Sequence, residues 1–112
     1  MNISKENAEH YVWGDNCDGW HLVQSSALSI IMELVPPGCS ETLHYHNKSE
    51  QFFFVLDGTA TLEVDGVIHQ LRKHQGLHIA AGVKHQLRNE HTEDLSFIVT
   101  STPPSQGDRV EL

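Results

Sequence analysis

The chain has 112 residues, of which 20% are charged and 38% hydrophobic, a length and balance that suit one folded domain around one core. Its formal net charge is -8, with only 7 Lys and Arg together. A nucleic acid or an anionic membrane would call for clustered basic residues, so neither is expected as a partner. No apolar run approaches the length of a membrane-spanning helix, and Met1 to Glu6 does not open like a signal peptide, so a cytoplasmic location is expected.

The predicted elements are short and extended. After a polar opening over residues 1–9, His10 to Trp13 reads as a strand closed by the turn cluster Gly14-Asp15-Asn16. Trp20 to Gln24 is a second strand, and Trp13 and Trp20 are read as packing residues. Ala27 to Val35 is a longer apolar run with β-branched Ile30 and Ile31, stopped by Pro36-Pro37-Gly38. Thr42 to His46 and Gln51 to Leu56 follow. Thr59 to Val64 and Val67 to Leu71 flank Asp65-Gly66, a strong hairpin signal. Leu77 to Ala81, His85 to Arg88 and Leu95 to Ser101 complete about ten strands with no convincing helix, the pattern of a sandwich or barrel. The Pro- and Gly-containing stretch 102–112 is read as an irregular tail that either trails into solvent, the favoured reading, or packs over a barrel mouth. Cys17 and Cys39 form no CxxC pair; free thiols in a reducing compartment are favoured, with a bridge between them left open.

Chemistry concentrates between Gly38 and Gly58. His44 and His46 lie two apart, so on a strand their imidazoles share one face, which is half of a metal site. Five residues later Gln51 opens the run Phe52-Phe53-Phe54-Val55-Leu56, which ends in the turn signal Asp57-Gly58. A third imidazole, His85, heads a later strand pattern. Counting back from Gly58 sets the strand parity and favours Gln51 inside; Glu50 is its neighbour and the runner-up, since both cannot face the same way. Phe53 shares the side of Gln51. Phe52 and Phe54 then face outward, where a second sheet or a second copy must cover them.

These two stretches resemble the two sequence motifs of the cupin superfamily. Gly38, His44, His46 and Gly58 fall on the first motif, and Gly82, His85 and Asn89 on the second half of the second. The departures are Gln51 where the family has a Glu, His74 at a family Gly and Ala80 at a family Pro. The resemblance implies an all-β, antiparallel jelly-roll barrel. It gives one cupin domain over 1–112, with a barrel core at about 27–101 and N-terminal strands at 10–24. It also implies His44, His46, Gln51 and His85 as ligands of a divalent transition metal, and a homodimer. Imidazoles with one oxygen suit Zn, Fe, Mn, Ni or Cu, so the donor set does not name the metal. His78 is the candidate proton shuttle beside that metal. His74 is expected in solvent, and His10, His21, His69 and His91 as hydrogen-bonded or surface residues.

A neutral Gln in place of Glu leaves more of the metal's charge uncompensated, which favours an anionic or oxygen-rich small molecule as ligand. Two function classes follow. One is a metal-dependent enzyme, dioxygenase-like or an isomerase or cyclase acting through an enolate. The other is a metal-containing binding or sensing module without turnover.

Overall fold

The computed structural model describes residues 2–112, and among them it contains eleven β-strands and no helix. In chain order these are β1 (Glu9–Trp13), β2 (Cys17–Gln24), β3 (Ser29–Val35), β4 (His44–His46), β5 (Glu50–Asp57) and β6 (Ala60–Val64). β7 (Val67–Leu71), β8 (Gly76–Ile79), β9 (His85–Arg88), β10 (Leu95–Thr102) and β11 (Arg109–Glu111) follow. A six-stranded sheet has the order β1-β2-β3-β10-β5-β8, and a five-stranded sheet the order β11-β4-β9-β6-β7. Every pairing is antiparallel, as expected of a jelly roll.

Period-two alternation decides what each strand buries. β10 alternates strictly, with Leu95, Phe97, Val99 and Ser101 buried. β3 sends Ser29, Ile31, Glu33 and Val35 toward the same interior, with Ser29, Ile31 and Val35 buried. From the facing sheet come Ala60, Leu62 and Leu87. Phe53 and Phe97 meet at 5.7 Å between ring centroids in this core, a tilted contact that adds to their area burial.

Turn chemistry holds the register. Asp65 and Gly66 both adopt positive φ, +50° and +82°, the left-handed pair of a tight hairpin turn, so β6 and β7 pair from Val64↔Val67 outward. On the facing sheet, Gly19 stands opposite Tyr11, and a Cβ there would run into the Tyr11 ring. The bare backbone lets that ring lie flat across the strand and brings its hydroxyl inward.

The tail departs from expectation. Residues 102–112 do not trail into solvent. Arg109, Val110 and Glu111 form β11 against His46, Tyr45 and His44. The Asp108 carboxylate accepts the backbone N–H groups of Asn47, Lys48 and Ser49 at 3.1, 2.9 and 2.8 Å. These bonds close the turn after β4 and fold the tail over the barrel mouth. A carboxylate receiving three amides is strongly satisfied, and those bonds hold the Asp108 pKa below its usual range.

Candidate metal centre and its pocket

β4 has the burial pattern buried, half-buried, buried, so His44 and His46 point inward and Tyr45 outward. His85 opens β9 directly opposite His44 in the ladder. The rings converge, with centroids 5.0 Å (His44–His46), 4.3 Å (His44–His85) and 5.6 Å (His46–His85) apart. One ring nitrogen from each lies within 4.8 Å of the others.

The backbone fixes which nitrogen faces the centre. His44 Nδ1 donates to the Thr42 carbonyl at 2.6 Å, His85 Nδ1 to the Val83 carbonyl at 2.9 Å, and His46 Nδ1 to the Asp108 carbonyl at 3.3 Å. With the protons on Nδ1, all three Nε2 atoms are left as lone-pair donors, the way backbone carbonyls orient metal-ligating imidazoles. His46 Nε2 is buried and has no hydrogen-bond partner. Burial lowers the pKa of all three, His44 to about 3, with Arg109 adding to the effect at each and neighbouring imidazoles adding to it at His44 and His85. The triad is therefore neutral at physiological pH, the form that binds metal.

Gln51 brings an oxygen beside the triad. It is buried on β5, and its Nε2 donates to Ser101 Oγ at 2.9 Å. Its carbonyl Oε1 then lies 3.1 Å from His85 Nε2. Both atoms present lone pairs, so a shared cation suits the gap. Two ligand atoms about 2.1 Å from one metal, at right angles, lie about 3 Å apart. The orphaned His46 Nε2, the neutral triad and this close acceptor pair fit a divalent metal held by His44, His46, His85 and Gln51.

Glu50 faces the other way. It is exposed and meets His78 Nε2 at 2.8 Å on the outside of the sheet. This corrects the reading of His78 as a shuttle. β8 pairs Phe52 with His78 and Gln51 with Ile79; opposite partners share a face, so an inward Gln51 and Ile79 put His78 outside. His74 is exposed as expected and stacks on Phe54, with centroids 6.2 Å apart.

The centre opens into a cavity of about 320 Å³. Its lining also includes groups that the spacing of the motifs did not reveal: Tyr11, Trp13 and Glu33 from the six-stranded sheet, and Glu41 and Arg109 beside the histidines on the other. Tyr11 O–H donates to Glu33 Oε2 at 2.7 Å. Arg109 reaches Glu41 Oε2 at 3.7 Å, and the Leu87 N–H donates to Glu41 Oε1 at 3.3 Å. Burial pushes Glu33 up to about 7 and Glu41 up to about 8, with the Glu33 charge adding to Glu41; the Tyr11 bond and Arg109 pull back only in part. Burial, and then Glu33, raise Tyr11, keeping it protonated. Trp13 Nε1 is buried without a partner, so Trp13 offers a donor as well as packing. One signal for Glu33 was present in the sequence: a lone acid at an inward position of the apolar run 27–35.

The family model for the cupin domain matches residues 31–101, more than half of the chain. Polyketide synthase CurC from Streptomyces cyaneus is 32% identical over 80 residues, covering 68% of this chain and 52% of that protein. The chain spans about half the length of that curated relative. A sugar phosphate isomerase of the cupin superfamily from Silicibacter pomeroyi superposes with a TM-score of 0.82 at 20% identity, over 91% of this chain and 75% of its own. The polyketide cyclase RemF from Streptomyces resistomycificus gives 0.78 at 15% identity, over 91% and 78%. At these identities the two structures speak to the fold alone. Both histidine stretches lie inside the matched segment, on the two-sheet antiparallel architecture of these relatives, and the chain belongs to the cupin family.

Proposed function

We propose that the protein binds a divalent transition metal through His44, His46, Gln51 and His85 and moves a proton on a small, oxygen-rich ligand with an acidic C–H next to a carbonyl. This is isomerase- or cyclase-type chemistry. The observation that carries the reading is one cavity that brings two carboxyls of raised pKa, Glu33 and Glu41, together with His44 and His46 of the neutral imidazole triad. When bound, the metal would supply Lewis acidity toward a carbonyl oxygen.

The chain's own groups divide the remaining work. Glu33, with a pKa near operating pH and the Tyr11 hydroxyl bonded to it, takes the proton from carbon. Glu41 stays protonated at neutral pH and returns one to carbon or oxygen. Arg109 and the unpartnered Trp13 N–H hold ligand oxygens. The likeness to a protein named polyketide synthase supports a substrate rich in 1,3-dicarbonyl units. The alternative is a metal-containing binding or sensing module without turnover, and dioxygenase-like chemistry is the further option on the same donor set. The half-exposed Phe52, stacked on Phe54 at 6.3 Å, supports a homodimer, and the two free thiols suit a reducing cytoplasm.

The test is α-proton exchange. Protein loaded with zinc, manganese or ferrous iron is incubated with ethyl 2-methylacetoacetate in deuterated water and followed by NMR. The expected result is exchange faster than with free metal, slowed about 100-fold in Glu33→Gln. Tight metal binding with no exchange above the free-metal rate would favour the non-catalytic module.

A further inference from the structure

A second cavity of about 340 Å³ lies beside the first, lined by His21, Gln24, Ser25, Ser29, Pro104 and Gln106. Gln106 lines both cavities. Across the β3–β10 ladder Ser29 pairs with Ser101, and Ser101 is the residue that bonds Gln51. The floor of the second cavity is therefore one residue pair from the metal centre.

Two polar atoms in this cavity lack partners. Ser29 is 2% exposed, and its hydroxyl has none. His21 Nδ1 is buried and has none either, while its ring packs on Tyr11 with centroids 4.9 Å apart. Buried polar groups in folded proteins are almost always paired, and an unpaired one costs free energy. The strand geometry also builds the wall. The β2–β3 register shifts between His21 and Val23, so that His21 pairs with Ile31, Val23 with Ile30 and Gln24 with Ser29. Without that bulge Gln24 would share the outward face of Leu22; the extra residue turns it to the side of Ser29. Such bulges re-aim side chains next to functional sites.

We propose that the second cavity is a binding subsite for an uncharged hydroxyl- or carbonyl-bearing ring, held by Ser29, His21, the Gln106 amide and the carbonyl oxygen of Gln24, whose Nε2 donates to Glu9 at 3.3 Å. No Lys, Arg, Asp or Glu lines it, so it suits a neutral oxygenated group and offers nothing to compensate a phosphate or carboxylate. The ligand of this protein would then be bipartite. Its reacting, anionic head sits by His44, His46 and Arg109, and its neutral ring extends past Gln106. The link to a reacting head rests on the function proposed above; the subsite itself does not.

The experiment uses metal-free protein and resorcinol, a neutral ring with two hydroxyls, titrated by amide NMR. Saturable shifts are expected at His21, Ser29 and Gln106, weakened at least tenfold in Ser29→Val, which fills the site and removes the hydroxyl while keeping a strand-forming side chain. His44→Ala should bind resorcinol like the wild type, which separates this test from the metal reading. Absence of saturable shifts at these residues in the wild type would mean a water-filled space and overturn the proposal. So would unchanged binding in a folded Ser29→Val protein, or loss of binding in His44→Ala instead. Should Ser29→Val fail to fold, Gln106→Trp, on the exposed side of the cavity, takes its place with the same expected loss.

Discussion

The imidazoles and the carboxyls around the first cavity respond to the same burial in opposite chemical senses. Desolvation lowers the pKa of His44, His46 and His85 and leaves them as neutral donors. It raises Glu33 and Glu41 and leaves them as acids near neutrality. Both sets thereby shed charge, Arg109 remains as the cation beside His46, and a bound metal would add the largest local charge. The two sets also differ in how they are held. Every imidazole of the triad is pinned by a backbone carbonyl, whereas Glu33 leans on the Tyr11 hydroxyl and Glu41 on the Leu87 N–H and Arg109, and a ligand can compete for the two side chains, Tyr11 and Arg109.

The sharpest break of this contrast removes the imidazoles. His44→Ala with His46→Ala deletes two of the four proposed donors, and metal affinity should fall by more than 100-fold in a metal titration. Among the carboxyls, Glu41→Gln should leave metal binding within about threefold and slow α-proton exchange about tenfold or more.

The pH dependence tests the same contrast without any metal. Glu33 and Glu41 hold their protons to about 7 and about 8 in the folded protein, against 4.5 when unpaired. The folded state thus binds more protons in that window, and stability falls as pH rises through it. The imidazoles act in the opposite direction. His44 titrates at about 3 when folded and 6.5 when free, so stability falls as pH drops below 6.5 toward 3. In urea unfolding of metal-free protein, the double variant Glu33→Gln/Glu41→Gln should lose less stability than wild type as pH rises from 5 to 9, and the two should show the same slope only below about pH 4.5, where both Glu are protonated folded or unfolded.

The histidine cluster was legible in the sequence because its residues are close together and its spacing carries the geometry. His44 and His46 share a face by period two, and the count from Gly58 put Gln51 inside and Glu50 outside. The rest of the cavity lining was not legible for the converse reason. Tyr11, Glu33, Glu41 and Arg109 come from β1, β3, a loop and β11, and only the sheet order brings them together. The tail misled because Pro103, Pro104 and Gly107 read as irregular, while the anchor that seats it, Asp108 on three amides 59 to 61 residues away, is a long-range contact. The His78 shuttle reading failed on parity: a residue opposite Phe52 must share its outward face.

Two smaller effects sharpen the picture. Asp108→Ala removes the seat of the tail and, through the loosened carbonyl on His46 Nδ1, should weaken metal binding roughly tenfold. His78→Ala cuts an exposed pair with Glu50; it should change stability by less than about 1 kcal/mol and leave exchange activity at the wild-type rate.

Whether His44, His46, Gln51 and His85 hold a metal is decided by elemental analysis of protein purified without an affinity tag. Close to one transition-metal ion per chain is expected in the wild type and none in the His44→Ala/His46→Ala variant. A wild-type protein that carries no metal and takes none up on reconstitution would contradict that expectation.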